Sequence, residues 1–166
     1  MAPAYLIVLL VALQRLVEAT YGSRNARALL QRGGIEAGRR HYPLVVLLHT
    51  SWLMAMALGI GRDTRIRPVP FALFGVMQIL RIWVLATLGR FWTTRVITVP
   101  GEPLVERGPY RFVRHPNYLV VIAEIALLPL ALGQVRTAVV FSVLNICLLV
   151  WRIRVENAAL TERMLV

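Results

Sequence analysis

The chain has 166 residues, 58% of them hydrophobic and 16% charged, with a mean hydropathy of +0.65. A soluble domain this small cannot enclose so much apolar surface in one core, because roughly half apolar is already the norm; the surplus calls for lipid, and the length suits a single membrane domain over residues 1–166. The net charge of +11 rests on 19 basic residues, all arginine, yet no nucleic-acid-binding motif accompanies them, and the lone Cys147 rules out an intrachain disulfide.

The first apolar run covers Ala4 to Val17. It lacks a basic leader and a small-residue cleavage site, so it reads as a retained helix and not as a signal peptide. Arg15 and Glu18, three apart near its end, can pair on one face. A polar stretch from Tyr21 to Tyr42 follows, with five arginines around Gly33-Gly34, too basic to lie in lipid. The second and third runs, Pro43 to Ile60 and Val69 to Leu88, approach the ~20 residues that span a bilayer, and Gly61 to Pro68 links them as a turn. The long connection from Gly89 to Asn117 is punctuated as loop by Pro100-Gly101, Gly108-Pro109 and His115-Pro116.

Two shorter runs close the chain, Tyr118 to Leu132 and Thr137 to Trp151, with only Gly133 to Arg136 between them, which predicts an antiparallel helical hairpin. The tail from Arg152 onward is polar and amphipathic. The expected fold class is therefore all-α, a polytopic membrane bundle of about five transmembrane helices. Thirteen arginines fall in the first loop, the long connection and the tail, and four (Arg62, Arg65, Arg67, Arg136) on the opposite side. The positive-inside rule then sets the N-terminus outside and the tail in the cytoplasm.

That topology brings two polar segments together. Arg152 and Glu156, four apart, share a helix face, and the hairpin must return them near His115 to Tyr118. A cation, a carboxylate, an imidazole and a phenol then surround one spot at the membrane surface, suited to holding a polar ligand against a lipid-borne one. His41, His49 and His115 have no metal-ligand spacing with Cys147, so no metal is expected. Arg81, inside the third apolar run, either serves this site or pairs with Glu124 or Glu18 to hold the bundle. His41 and His49 read as structural, and the four tryptophans as interfacial or packing residues.

Arg114-His115-Pro116-Asn117-Tyr118, preceded by Gly108-Pro109-Tyr110 and followed by Arg152 and Glu156, resembles the isoprenylcysteine carboxyl methyltransferase family over residues 81–157. Two positions depart from the pattern: Val120 stands where the family often has glycine, and Asn157 where it has a second acid. The resemblance implies a bacterial inner-membrane enzyme with a cytoplasmic pocket for S-adenosyl-L-methionine, formed by the long connection and the closing hairpin. By that likeness Pro103, Leu104, Val105, Tyr110, His115, Pro116, Asn117, Tyr118 and Glu156 line the cofactor pocket. Arg152 faces a lipophilic methyl acceptor, and Arg81 matches an arginine the family uses near the reacting centre. A carboxylate acceptor would need only a cation to place it, whereas a phenol or polyketide-lipid enol would gain from a base, and Glu124, an acid in an apolar helix, is the candidate. An NADPH-dependent membrane lipid reductase, whose closing helices share this plan, and a non-enzymatic scaffold or transporter subunit remain open alternatives.

Overall fold

The computed structural model describes residues 3–164. Five helices make up the bundle: α1 (Pro3–Gln31), α2 (Tyr42–Leu58), α3 (Pro68–Leu88), α4 (Pro116–Ala131) and α5 (Val135–Met164). Four of them, all but α4, are long and apolar enough to cross a membrane, and the 16-residue α4 is shorter. The chain is thus an integral membrane protein with an all-α bundle and a closing helix pair.

Proline places three of the helix starts. Pro43, Pro68 and Pro116 stand in the first turns of α2, α3 and α4, where the missing N–H would have had no intrahelical partner and the fixed φ already suits the helix. The expected turn between the last two runs is present: Gly133 has φ +77°, and the Gln134 N–H returns to the Pro129 carbonyl at 2.8 Å.

Two helices are longer than the apolar runs suggest. α1 does not stop near Val17 but continues to Gln31. Its second half carries a helical stripe, with Glu18, Gly22, Ala26 and Leu29 all buried, so burial of one face extends a segment whose average polarity reads as loop. Likewise α5 runs unbroken through Trp151 into the tail, since no glycine or proline interrupts residues 134–164. The fifth run is therefore part of a 30-residue helix and is not short for a bilayer.

The polar stretches also contain an unexpected element. β1 (Ile35–Ala37) pairs antiparallel with β2 (Val96–Thr98), with Glu36 opposite Ile97. This ribbon ties the loop after α1 to the connection before α4.

Packing divides the bundle in two. One half is a dry core in which Trp52 and Met56 of α2 meet Val8 and Val11 of α1, Phe74 of α3 and Ile125 and Leu128 of α4; the Trp52 indole N–H donates to the Ile125 carbonyl at 3.2 Å. Large apolar side chains such as Leu10, Leu47, Ile79, Ile82 and Val143 point outward, which is stable only against an apolar solvent. The other half holds an ion cluster. Arg81, 3% exposed, donates through Nε to Glu124 Oε1 at 2.8 Å and through Nη1 to Glu18 Oε2 at 3.0 Å, while Arg15 donates to Glu18 at 2.8 Å and to Glu124 at 2.6 Å. Gln78 also donates to Glu124, at 2.6 Å, so three helices are joined by two cations and two carboxylates.

Removing one member of this cluster leaves the rest unbalanced in a low-dielectric interior, at a cost on the order of 3–5 kcal/mol. Arg81→Met is expected to lower the thermal unfolding midpoint in detergent sharply. The double variant Arg81→Met/Glu124→Leu, which leaves Arg15 paired with Glu18, is expected to recover much of that loss; a double variant no more stable than the single one contradicts the pairing account.

Candidate active site

The site is assembled at the end of the bundle where α1, α4 and α5 meet the β1–β2 ribbon. His115 stands at the N-cap of α4 with a non-helical backbone, and Pro116 opens the helix, so Asn117 and Tyr118 occupy its first turn. Opposite them α5 presents Arg152 and Glu156 one turn apart. The Tyr118 hydroxyl donates to Glu156 and accepts from Arg152 Nε at 3.1 Å. The His115 ring stacks on Tyr118, with centroids 5.3 Å apart and planes at 27°, and its Nδ1 lies 3.7 Å from Glu156 Oε1. Arg152 also donates through Nη2 to the Thr94 carbonyl at 2.9 Å, which anchors α5 to the segment leading into β2.

Arg152 stands out electrostatically. It is only 8% exposed, yet among the described residues no carboxylate lies within ion-pair distance of it, and its contacts are a phenol oxygen, a carbonyl and the face of the Tyr118 ring at 5.7 Å. A guanidinium enclosed among neutral partners favours an anionic visitor.

Two cavities flank this residue. The first, about 620 Å³, is walled by β2 and the connection after it (Pro103, Leu104, Val105), by Tyr110, by His115 to Tyr118 apart from Pro116, and by Arg152 and Glu156. The second, about 340 Å³, lies among α1, α2 and α5 and is mostly apolar. Trp92, Thr93, Asn117, Tyr118 and Arg152 wall both.

Close approaches fix the loop that separates them. Gly108, at φ +60°, packs its backbone on Thr87 so closely that a Cβ would collide with the threonine side chain, which seats the Gly108-Pro109-Tyr110 turn on the end of α3. A Cβ on Gly22 would lie 3.0 Å from both the Thr94 nitrogen and the Trp92 ring, so α1 lets the segment that carries both residues pass close by.

The structure therefore groups Pro103, Leu104, Val105, Tyr110, His115, Asn117, Tyr118, Arg152 and Glu156 around one hollow. Pro116 supports that group from within the helix. Arg81 lines the second cavity, and Glu124 lines neither. Glu124 was expected as a proton acceptor; instead both of its oxygens accept from guanidinium or amide donors, so it acts as counter-ion to Arg81 and Arg15. His41 packs edge-on against Trp151, with centroids 5.9 Å apart, away from both cavities.

Sequence reasoning missed Trp92 and the β2 wall. Trp92, read as an interfacial or packing residue, is buried between the cavities. The run Thr93-Thr94-Arg95-Val96-Ile97-Thr98-Val99 is rich in β-branched residues, and that signal could have marked a strand.

Residues 69–162 match the family model of the isoprenylcysteine carboxyl methyltransferase (ICMT) family, more than half of the chain, and the protein belongs to that family. Its relatives include a Bacillus subtilis (strain 168) protein described as uncharacterized protein YpbQ, 35% identical over 95% of this chain and 96% of the relative. An uncharacterized protein of Haemophilus influenzae is 24% identical over 84% of each chain. No solved structure matches at a significant level.

The Tyr110 phenol offers a check on the enclosure of the first cavity. Burial, followed by the nearby Glu156 carboxylate, pushes its pKa well above the usual tyrosine value. Folded protein should retain this proton at a pH where an unfolded chain has lost it, so the contribution of Tyr110 to stability falls as pH rises past about 10. A spectrophotometric titration of wild type and Tyr110→Phe is expected to show the same phenolate signal up to about pH 11.5, where an ordinary tyrosine is almost wholly ionised. A signal larger by one phenolate in the wild type would mean that Tyr110 is open to solvent.

Proposed function

We propose that this protein is an S-adenosyl-L-methionine-dependent O-methyltransferase that acts on a lipophilic acceptor with an anionic oxygen, either a carboxylate or a phenol- or polyketide-derived oxyanion. The observation that carries this reading is the placement of one buried, unpaired cation, Arg152, in the wall shared by a polar cavity and an apolar one. The arginine distribution favours a cytoplasmic site and an external N-terminus.

The residues present fit a nucleoside-bearing methyl donor. The first cavity falls within the ~300–1,000 Å³ usual for small-molecule sites. Asn117 Oδ1 and the Trp92 indole N–H are buried without partners among the described residues, an acceptor and a donor that a polar ligand would satisfy. Pro103 to Val105, Tyr110, His115, Asn117, Tyr118 and Glu156 would hold it, with Pro116 setting the helix start. When bound, such a cofactor supplies an already activated sulfonium methyl.

The chain's own contribution is placement. Tyr118 holds the Arg152 guanidinium by hydrogen bond and ring face, and the Thr94 carbonyl holds its other edge; the cation is thus aimed before any ligand arrives, and orientation of this kind accounts for a large share of rate enhancement in bimolecular transfers. Apolar walls from α1, α2 and α5 keep water from the acceptor side. An acceptor oxygen already ionised needs no base, which agrees with the engagement of Glu124 elsewhere.

Calorimetry on the full-length protein in detergent is expected to show S-adenosyl-L-methionine binding that His115→Ala and Glu156→Ala each weaken by at least about tenfold, or 1.4 kcal/mol. With labelled methyl donor and a lipid extract, wild type is expected to label a lipid that Arg152→Ala leaves unlabelled. Donor affinity unaltered in both alanine variants would overturn the reading.

A further inference from the structure

The second cavity is not apolar throughout. Its junction with the first is level with Tyr42, Thr94 and Arg152, since the Thr94 carbonyl accepts from Arg152 and the Thr94 hydroxyl lies 3.5 Å from the Tyr42 oxygen. From that level α2 runs seven residues from Tyr42 to His49, and α5 runs back seven from Arg152 to Asn145. Each interval is about 10 Å along a helix. Val45, Val121, Leu148 and Leu149 line the interval between, and His49, Asn145 and Arg15 line the floor.

The polar groups at that floor are unspent. Asn145 is 2% exposed and its amide Nδ2 has no partner among the described residues, nor does Arg15 Nε. His49 Nδ1 lies 2.9 Å from the Val45 carbonyl; a carbonyl only accepts, so Nδ1 carries the hydrogen, and in the neutral ring Nε2 is left as an acceptor. Charge at the floor is already balanced, because Arg15 and Arg81 are matched by Glu18 and Glu124. Two vacant donors and one vacant acceptor on residues that line an apolar chamber, with no net charge, suit a neutral hydroxyl. Its oxygen can accept twice and donate once.

We propose that the acceptor cavity carries a distal subsite, formed by His49, Asn145 and Arg15, that takes a neutral hydroxyl of the lipophilic acceptor about 10 Å from the oxygen facing Arg152. This rests on the reading of the second cavity as the acceptor's. It makes the acceptor a lipid with two polar points at a set spacing, not a plain hydrocarbon tail, and it gives the polar floor a binding role in addition to holding the bundle.

The probes are palmitic acid and a palmitic acid hydroxylated in mid-chain, about 10 Å from its carboxylate. Each is used to displace a fluorescent fatty-acid analogue from full-length protein in lipid nanodiscs. The hydroxylated acid is expected to displace at about tenfold lower concentration, the effect of one or two added hydrogen bonds. That preference is expected to vanish in His49→Phe/Asn145→Leu, so that the two acids displace the analogue at the same concentration. Equal displacement by both acids in wild type, or a preference that survives in the double variant, overturns the proposal. If the double variant does not fold, Asn145→Leu alone must reduce the preference. Donor calorimetry run in parallel separates the two ideas. Loss of S-adenosyl-L-methionine binding with the preference intact removes the methyltransferase reading and leaves the subsite; intact donor binding and methyl transfer without a preference removes the subsite alone.

Discussion

A guanidinium cannot be left unsolvated in hydrocarbon, and this chain places 19 basic side chains, all arginine, in a molecule whose outer surface is largely apolar. Each arginine must reach the polar membrane surface, pair with a carboxylate, or wait for an anionic ligand. Most of the basic side chains lie in the loops and tail and take the first course. Arg81 and Arg15 take the second, locking α1, α3 and α4 together through Glu18 and Glu124. Among the described residues Arg152 is buried without a carboxylate partner and is left for the third course under the proposed function, in the wall that both cavities share.

The continuity of α5 is what makes that position possible. One uninterrupted helix carries Asn145, Arg152 and Glu156 on a face that passes the floor of the apolar cavity, the junction and the polar cavity in turn. A break at the membrane boundary would have uncoupled the three. The β1–β2 ribbon and the Arg152–Thr94 bond hold the polar wall against this helix from the other side, so two distant loops and the tail meet in one rim.

Much of this was readable from residue order. Pro43 opened the second apolar run, whereas Pro68 and Pro116, read as turn and loop, proved to stand in helix first turns; the tight link at Gly133 to Arg136 required a closing hairpin, and the hairpin in turn required Arg152 and Glu156 to meet His115 and Tyr118. The pairing of Arg15 with Glu18 was also legible from their spacing, and pairing of Arg81 with Glu124 or Glu18 was one of the two readings open to an ion buried in an apolar helix. The ends of α1 and α5 were not, since an apolar-run reading responds to average hydropathy and overlooks a one-sided stripe such as Glu18, Gly22, Ala26 and Leu29. The pairing of Glu36 with Ile97, sixty-one residues apart, and the insertion of Trp92 between the cavities depend on tertiary register that no local pattern encodes.

The sharing of one cation between two cavities also bears on why the chemistry would sit at the membrane boundary and not deeper. An acceptor oxygen drawn to Arg152 leaves its hydrocarbon portion among Val45, Val121, Leu148 and Leu149, where burial is favourable by about 25 cal/mol per Å² of apolar surface. The same pose presents that oxygen to the polar hollow beyond Tyr118 and Asn117. Were the unpaired cation at the cavity floor, the acceptor would enter head-first and its reacting atom would lie two helical turns from any water-soluble donor. Because the floor is neutralised by two carboxylates while Arg152 at the rim has no carboxylate within ion-pair distance among the described residues, the proposed acceptor would enter with its anionic end toward the membrane surface.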